Sequence, residues 1–247
     1  MPIFLAQLVI TLQSLGAPEA VVPLLAPLKH VQGIETDGNR LWVSSVDKEA
    51  HTGHIHIFEI ATGKMLRTVQ VSKGEVYHPG GMAIDGKSLW VPVAEYKRIG
   101  RSVIEERDSE TLELRSSFAV DDHIGCVAAG DGKIYGGNWD ALKIYTWNTK
   151  GGLLEERVNP QKTHYQDMKL RGGKLVASGV VDKDSGAIDW LSVATLQLEK
   201  RVRAGKTDRN TLYTNEGMTV YGDRIYLLPE DGPSRLFVFR MSAPVTP

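Results

Sequence analysis

Short apolar stretches, broken by turns of Gly, Asp and Asn, run along most of this chain, and one unit of them recurs five times. The copies read HVQGIETDGNRLWV, HPGGMAIDGKSLWV, HIGCVAAGDGKIYG, HYQDMKLRGGKLVA and TNEGMTVYGDRIYLL. Each is an apolar run, a tight polar turn and a second apolar run, the pattern of a β-hairpin. A third run follows at 54–60, 102–107, 143–147, 188–193 and 235–240. A turn such as ATGK at 61–64 then leads to a fourth run, as at 65–71 and 153–158. No long segment beyond the N-terminus has helical periodicity. The pattern predicts an all-β fold, a five-bladed β-propeller of four-stranded antiparallel blades.

The chain ends fit a closed ring. The fifth copy stops after its third run, near Met241, one strand short. Residues 21–28 precede the first copy and have no hairpin of their own, so they are placed to supply that strand. Such a clasp leaves only short sheet edges exposed. Residues 21–241 therefore read as a single propeller domain, with 242–247 as a C-terminal tail. Residues 1–20 stand apart. Their stretch 3–17 is apolar and uncharged, too short for a membrane span. It reads either as the core of a secretory signal peptide or as an arm docked on the domain. The first reading implies a secreted or periplasmic protein, the second a cytoplasmic one.

The repeat also aligns chemistry. His30, His78, His123 and His164 open four of the copies, spaced 48, 45 and 41 residues apart, and Thr214 takes the place in the fifth. The chain has only seven histidines. A cyclic repeat brings these four to one mouth of the axial channel. Seventeen residues after each register position lie Asp47, Glu95, Asp140, Val181 and Asp231, at the returning end of the second strand. Two and three positions after it lie mostly small residues, five glycines and Cys126, which let inner strands approach closely. The exceptions are Gln32, Gln166, Asp167 and Glu216.

Imidazoles suit a divalent transition metal. On that reading His30, His78, His123 and His164 are the metal ligands. Glu95, Asp140, Asp167 and Glu216 are the candidate catalytic carboxylates, moving protons beside the ion. Gln32, Tyr96, Trp139, Gln166 and Asp231 would contact substrate, the two aromatics by stacking. The function expected is a metal-assisted hydrolase or lyase for a small polar substrate. The competing reading is a non-catalytic propeller that binds a small molecule or peptide, its histidines held in a repeated structural hydrogen bond with carboxylates, as in WD-type propellers. A second cluster, His51, His54 and His56, reads as ordinary exposed strand residues.

Charge adds little. Net charge is −1 with no basic stripe, which argues against a nucleic-acid partner. A single cysteine, Cys126, excludes an internal disulfide and reads as a packed strand residue. No nucleophile elbow, phosphate loop or CxxC pair is present.

The segments HVQGI, HPGGMAIDGKSLWVPVAEY, DDHIG, NWD, HYQD and LLPEDG together resemble an uncharacterised propeller family, a domain of unknown function, over residues 30–240. Met168 stands after YQD where that family is expected to carry Cys, and Lys97-Arg98 after AEY where Arg-Pro is expected. The resemblance implies the fold and supplies no activity. VQGIETDGNRLWVSS is also similar to the first blade of plant-type glutaminyl cyclases, over one blade only.

Overall fold

Each hairpin of the repeat forms as its pattern predicts. The computed structural model describes residues 12–241 as five sheets, antiparallel save for one short edge strand. Blade one is His30–Thr36, Arg40–Asp47, Thr52–Glu59 and Met65–Gln70. Blade three runs Ile124–Gly130, Lys133–Asn138, Lys143–Asn148 and Leu153–Val158. The inner two strands of a blade are buried on both faces, while outer strands such as Leu153–Val158 are largely exposed. This is why the inner strands read as near-continuous apolar runs rather than strict alternation.

Blade two departs from the pattern. Its inner strand is split into Val76–Pro79 and Ala83–Asp85. Between them, Gly81 bridges in parallel to Cys126 of blade three, with Gly81 N–H donating to the Gly125 carbonyl at 2.9 Å. The glycines are there for contact. A Cβ on Gly33 would sit 2.3 Å from the Gly81 Cα, and one on Gly80 would sit 2.0 Å from the Gly125 oxygen.

The ring closes as the chain ends predict, with one shift. Ala20–Pro23, rather than the whole of 21–28, pairs antiparallel with Arg235–Arg240 and completes blade five. The strand ends at Pro23, which has no N–H to extend the ladder. Blade four carries a fifth strand that was not expected. Leu12–Ser14 pairs in parallel with Leu198–Ala204. Part of the segment read as a signal or arm is thus an edge strand of the sheet. Residues 1–11, which held the larger part of that segment, and the tail 242–247 lie outside the described residues.

Five apolar clusters fill the gaps between neighbouring blades. Trp42, Ile55 and Leu89 join blades one and two, and Val176, Leu227 and Phe237 join four and five. Cys126 belongs to such a cluster, and burial pushes its thiol up to about 12. No helix among the described residues is long and apolar enough to cross a membrane.

Two ion pairs, one fully buried and one with a half-buried arginine, fill the axis below the mouth. Asp167 and Lys169 pair at full burial. Asp167 also accepts N–H bonds from Ile34 of blade one at 3.1 Å and Met218 of blade five at 3.0 Å. Deeper, Arg171 of blade four donates to Glu35 of blade one at 2.8 Å, and Glu35 also accepts the Thr219 hydroxyl of blade five.

Candidate functional site

β-Bulges build the mouth. The inner strands of blades one, three and four each slip register where the repeat places a polar or small residue, around Gln32, Gly125 and Gln166. A bulge turns the extra residue out of the ladder. In blade five the same place is held by Glu216, at φ 106°, a backbone region that non-glycine residues rarely enter. Strain of this kind persists only where surrounding structure enforces it, and it clusters at functional sites.

The resulting cavity is about 180 Å³. Its walls bring together His30, His78 and His123 with Gln32, Gln166 and Glu216. Tyr96, Trp139 and Asp140 complete the rim, so nine of the sequence-predicted residues share one cavity. Four do not line it. His164 stands at the rim, its side chain 56% exposed and 3.6 Å from Asp140. Glu95 turns away to Lys97 at 2.9 Å and to the Arg101 N–H at 3.0 Å. Asp167 is the axial plug already described. Asp231 is buried between Arg209 and Arg235, at 2.9 Å and 3.0 Å.

The histidines share no common hydrogen bond. His123 Nδ1 lies 2.9 Å from both the Glu95 and Lys97 carbonyl oxygens. Both partners are acceptors, so Nδ1 carries the proton and Nε2 keeps its lone pair. His78 Nδ1 is buried with no hydrogen-bond partner among the described residues. Burial, helped by nearby His123, His30 and Lys48, pushes its pKa down to about 3. Burial also lowers His123, against the pull of its two carbonyl bonds. His56, outside the site, is held by the Ser45 and Thr68 hydroxyls at 2.8 Å and 2.9 Å.

His30 differs. Its Nδ1 abuts a Glu230 carboxylate oxygen without the alignment of a hydrogen bond. Burial opposes its charging, but Glu230 and Glu216 together raise its pKa. Burial, with the charges of Glu230 and Asp167, pushes the Glu216 carboxyl up to about 8 against the pull of His30. Glu216 makes no side-chain hydrogen bond among the described residues. Donor atoms of His30, Glu216 and Glu230 all lie within 4.8 Å of one another, the one such trio among the described residues. The four histidines of the register do not gather around one point in this way.

Local structure explains the rim. Asn138 donates to Asp122 at 3.1 Å and accepts the Lys143 N–H at 2.8 Å. This pins the turn that throws out Trp139 and Asp140, the latter at φ 60°. Arg98 reaches over from blade two to Asp140 at 2.6 Å and lies 5.6 Å from the Trp139 ring centre.

Sequence reasoning missed Glu230, Arg98 and Tyr165. The seventeen-residue offset pointed at Asp231, but the chain turns after Pro229, so its neighbour Glu230 meets His30. Tyr165 lines the cavity while its hydroxyl donates to Asp189 at 2.6 Å.

Five blades around a polar axial cavity define the class, a β-propeller with a built site at one mouth. The chain belongs to a family of unknown function, DUF6454, whose pattern matches residues 17–170. No curated protein matches the sequence. Similar solved structures include the WD40 domain of Pan2 from Neurospora crassa, at 12% identity and a TM-score of 0.47, covering 87% of this chain and 64% of that one. BamB from Moraxella catarrhalis is similar at 11% identity and 0.47, covering 94% and 99%. Hydrazine synthase from Kuenenia stuttgartiensis follows at 16% identity and 0.49, covering 82% and 56%.

Proposed function

We propose that the axial mouth is a metal-dependent catalytic site, a hydrolase or lyase centre for a small polar substrate. One observation carries this reading: His30, Glu216 and Glu230 hold three donors within 4.8 Å at the edge of the cavity. The donor set fits a divalent ion. One imidazole and two carboxylates suit manganese, iron or zinc. Among the described residues Glu216 has no competing protein hydrogen bond, and His30 Nδ1 is not aligned to any. A bound ion there would polarise a substrate oxygen or lower the pKa of a water.

The chain's own residues do the rest. His123, its tautomer fixed by two carbonyls, presents Nε2 as a proton acceptor. His78 stays uncharged at neutral pH and adds no repulsion to a cation. Gln32 spends its amide N–H on the Val31 carbonyl at 2.9 Å, which leaves its oxygen for a ligand. Asp140 is tied to Arg98, which closes one side of the rim against water.

Metal analysis tests this. Purified protein should hold close to one transition-metal ion per chain near neutral pH. Added metal should raise its melting temperature, because a ligand that binds only the native state stabilises it. His30→Ala with Glu216→Gln should abolish both effects while the fold persists. Metal-free protein with no thermal shift across manganese, iron, zinc, copper and nickel would overturn the reading and leave a non-catalytic binding module.

A further inference from the structure

We infer that the ligand of the mouth is a small carboxamide, its N–H set against His123 and its carbonyl oxygen against the trio of His30, Glu216 and Glu230. The carbonyl end rests on the metal reading above; the N–H end rests on a separate observation.

That observation is a forced acceptor. His123 Nδ1 lies 2.9 Å from two carbonyl oxygens, those of Glu95 and Lys97. Neither can donate, so the ring proton stays on Nδ1 and Nε2 offers only a lone pair. Nε2 makes no hydrogen bond among the described residues and is not sealed off from water, so it opens on the cavity that His123 lines. Burial lowers the His123 pKa against the pull of the two carbonyls, which keeps Nε2 unprotonated at neutral pH.

Topology sets the opposite wall. His123 opens blade three, His30 opens blade one, and Glu216 and Glu230 belong to blade five. In a closed ring of five, blade three stands across the axis from the junction of blades five and one. A ligand in the mouth thus meets a pure acceptor on one side. Across from it stand the imidazole and carboxylates that would hold a cation.

This pairing sorts ligands. A carboxylate has acceptors only and would set lone pair against lone pair at His123. An ammonium has donors only and would repel the cation across the axis. A hydroxyl has both on one atom and serves one wall at a time. An amide carries its donor and its acceptor on different atoms of one rigid plane, and in the trans form they point in opposite directions. Gln32 and Gln166 can each donate or accept, so they do not change this order. The cavity of about 180 Å³ suits a ligand of roughly the size of benzene, which an engineered cavity of ~150 Å³ admits.

N-methylacetamide and methyl acetate test the N–H, since they share a shape and differ by N–H against oxygen. Their affinities would be measured by NMR titration of metal-free and zinc-loaded protein, with the ¹⁵N signals of the His123 ring followed throughout. N-methylacetamide should bind about tenfold more tightly in both forms, the scale of one buried acceptor left unpaired. It should also shift the Nε2 signal, which methyl acetate should leave in place. His123→Phe should level the two ligands while zinc affinity is kept. Equal affinities, binding of neither ligand, or a preference that survives His123→Phe would each overturn the inference. If His123→Phe does not fold, the wild-type ring decides alone, and an Nε2 signal unmoved by saturating amide overturns it. Amide preference in a protein that holds no metal would sustain the carboxamide and remove the metal reading. Metal bound with no preference would sustain the metal reading and overturn the carboxamide.

Discussion

His123 is held by the turn that Glu95 builds. Its Nδ1 lies 2.9 Å from the Glu95 carbonyl oxygen, and the Glu95 carboxylate accepts the Arg101 N–H at 3.0 Å across the same turn. The side chain predicted as catalytic therefore faces away from the cavity, while its backbone orients a residue that faces in.

Glu95→Ala should loosen this turn without emptying the core. The expected result is loss of a single His123 tautomer, read from the ¹⁵N shifts of the ring. Where turnover can be measured, it should fall roughly 10–100-fold, the usual effect of removing an orienting partner. Unchanged ring shifts in the variant would mean that the turn holds itself.

The buried pair on the axis gives a prediction about stability. Asp167 and Lys169 are both fully buried, and burial raises the Asp167 carboxyl to about 6 despite Lys169. Lys169→Met would strand a carboxylate that also ties blades one and five. The cost should be about 3–5 kcal/mol in urea unfolding. Asp167→Asn combined with Lys169→Met should recover much of it, since the amide oxygen still accepts the Ile34 and Met218 N–H groups. A double variant as unstable as the single one would show that the charge is not the issue.

The closing strand can be tested by truncation. Deleting the chain through residue 16 removes the three-residue parallel pairing of Leu12–Ser14 on blade four. Deleting through residue 23 also removes Ala20–Pro23, the outer strand of blade five. The first deletion should lower the melting temperature by a few degrees, about 1 kcal/mol for a domain of this size. The second should leave blade five with an open edge and cause aggregation or failure to fold. Equal behaviour of the two proteins would argue against closure by Ala20–Pro23.

The fold was legible because its signals are backbone signals. Turn residues, run lengths and the period survive in the one-dimensional pattern, and so did the clasp. The parallel strand Leu12–Ser14 was not legible, because three residues carry no period. The site was legible in position and less so in direction. The register put His30, His78 and His123 at one mouth, and the bulges then decided which neighbours face inward. Glu216 turns in through a positive φ, and Glu230 through a turn after Pro229. Neither angle is written in residue type. His164 shares the register, yet it ends at the rim beside Asp140 rather than in the cavity.

His78 sets the acid side of stability. Its folded pKa of about 3 lies far below the ordinary imidazole value of 6.5, chiefly through burial. The unfolded chain therefore binds the extra proton first. Stability from this residue is complete above about pH 6.5 and declines as pH falls towards 3. His56, lowered to about 4 by burial and by His54, acts in the same direction. His78→Phe should flatten the acid limb of a stability curve measured by urea unfolding from pH 7 to 4. An NMR titration should show the His78 ring unprotonated throughout that range. Protonation of His78 near pH 6 would refute its burial as a neutral group.

Glu216 sets the opposite limb. Its folded pKa of about 8 lies above the ordinary 4.5, because the group is buried beside Glu230 and Asp167. Here the folded state holds the proton more tightly than the unfolded chain. The stability it contributes is complete below about pH 4.5 and is lost as pH rises through 8. Each pK unit of difference corresponds to about 1.4 kcal/mol, so the loss across this window should reach a few kcal/mol. Glu216→Gln keeps the shape and removes the titration. In metal-free protein the variant should therefore match wild type near pH 5 and exceed it in stability by pH 8. Added metal should narrow that gap at pH 8, since a cation favours the charged carboxylate in wild type and gains little from the amide. Urea unfolding at both pH values, with and without manganese or zinc, measures all four corners. A variant less stable than wild type at pH 8 in the absence of metal would mean that Glu216 is already charged and paired in the folded protein.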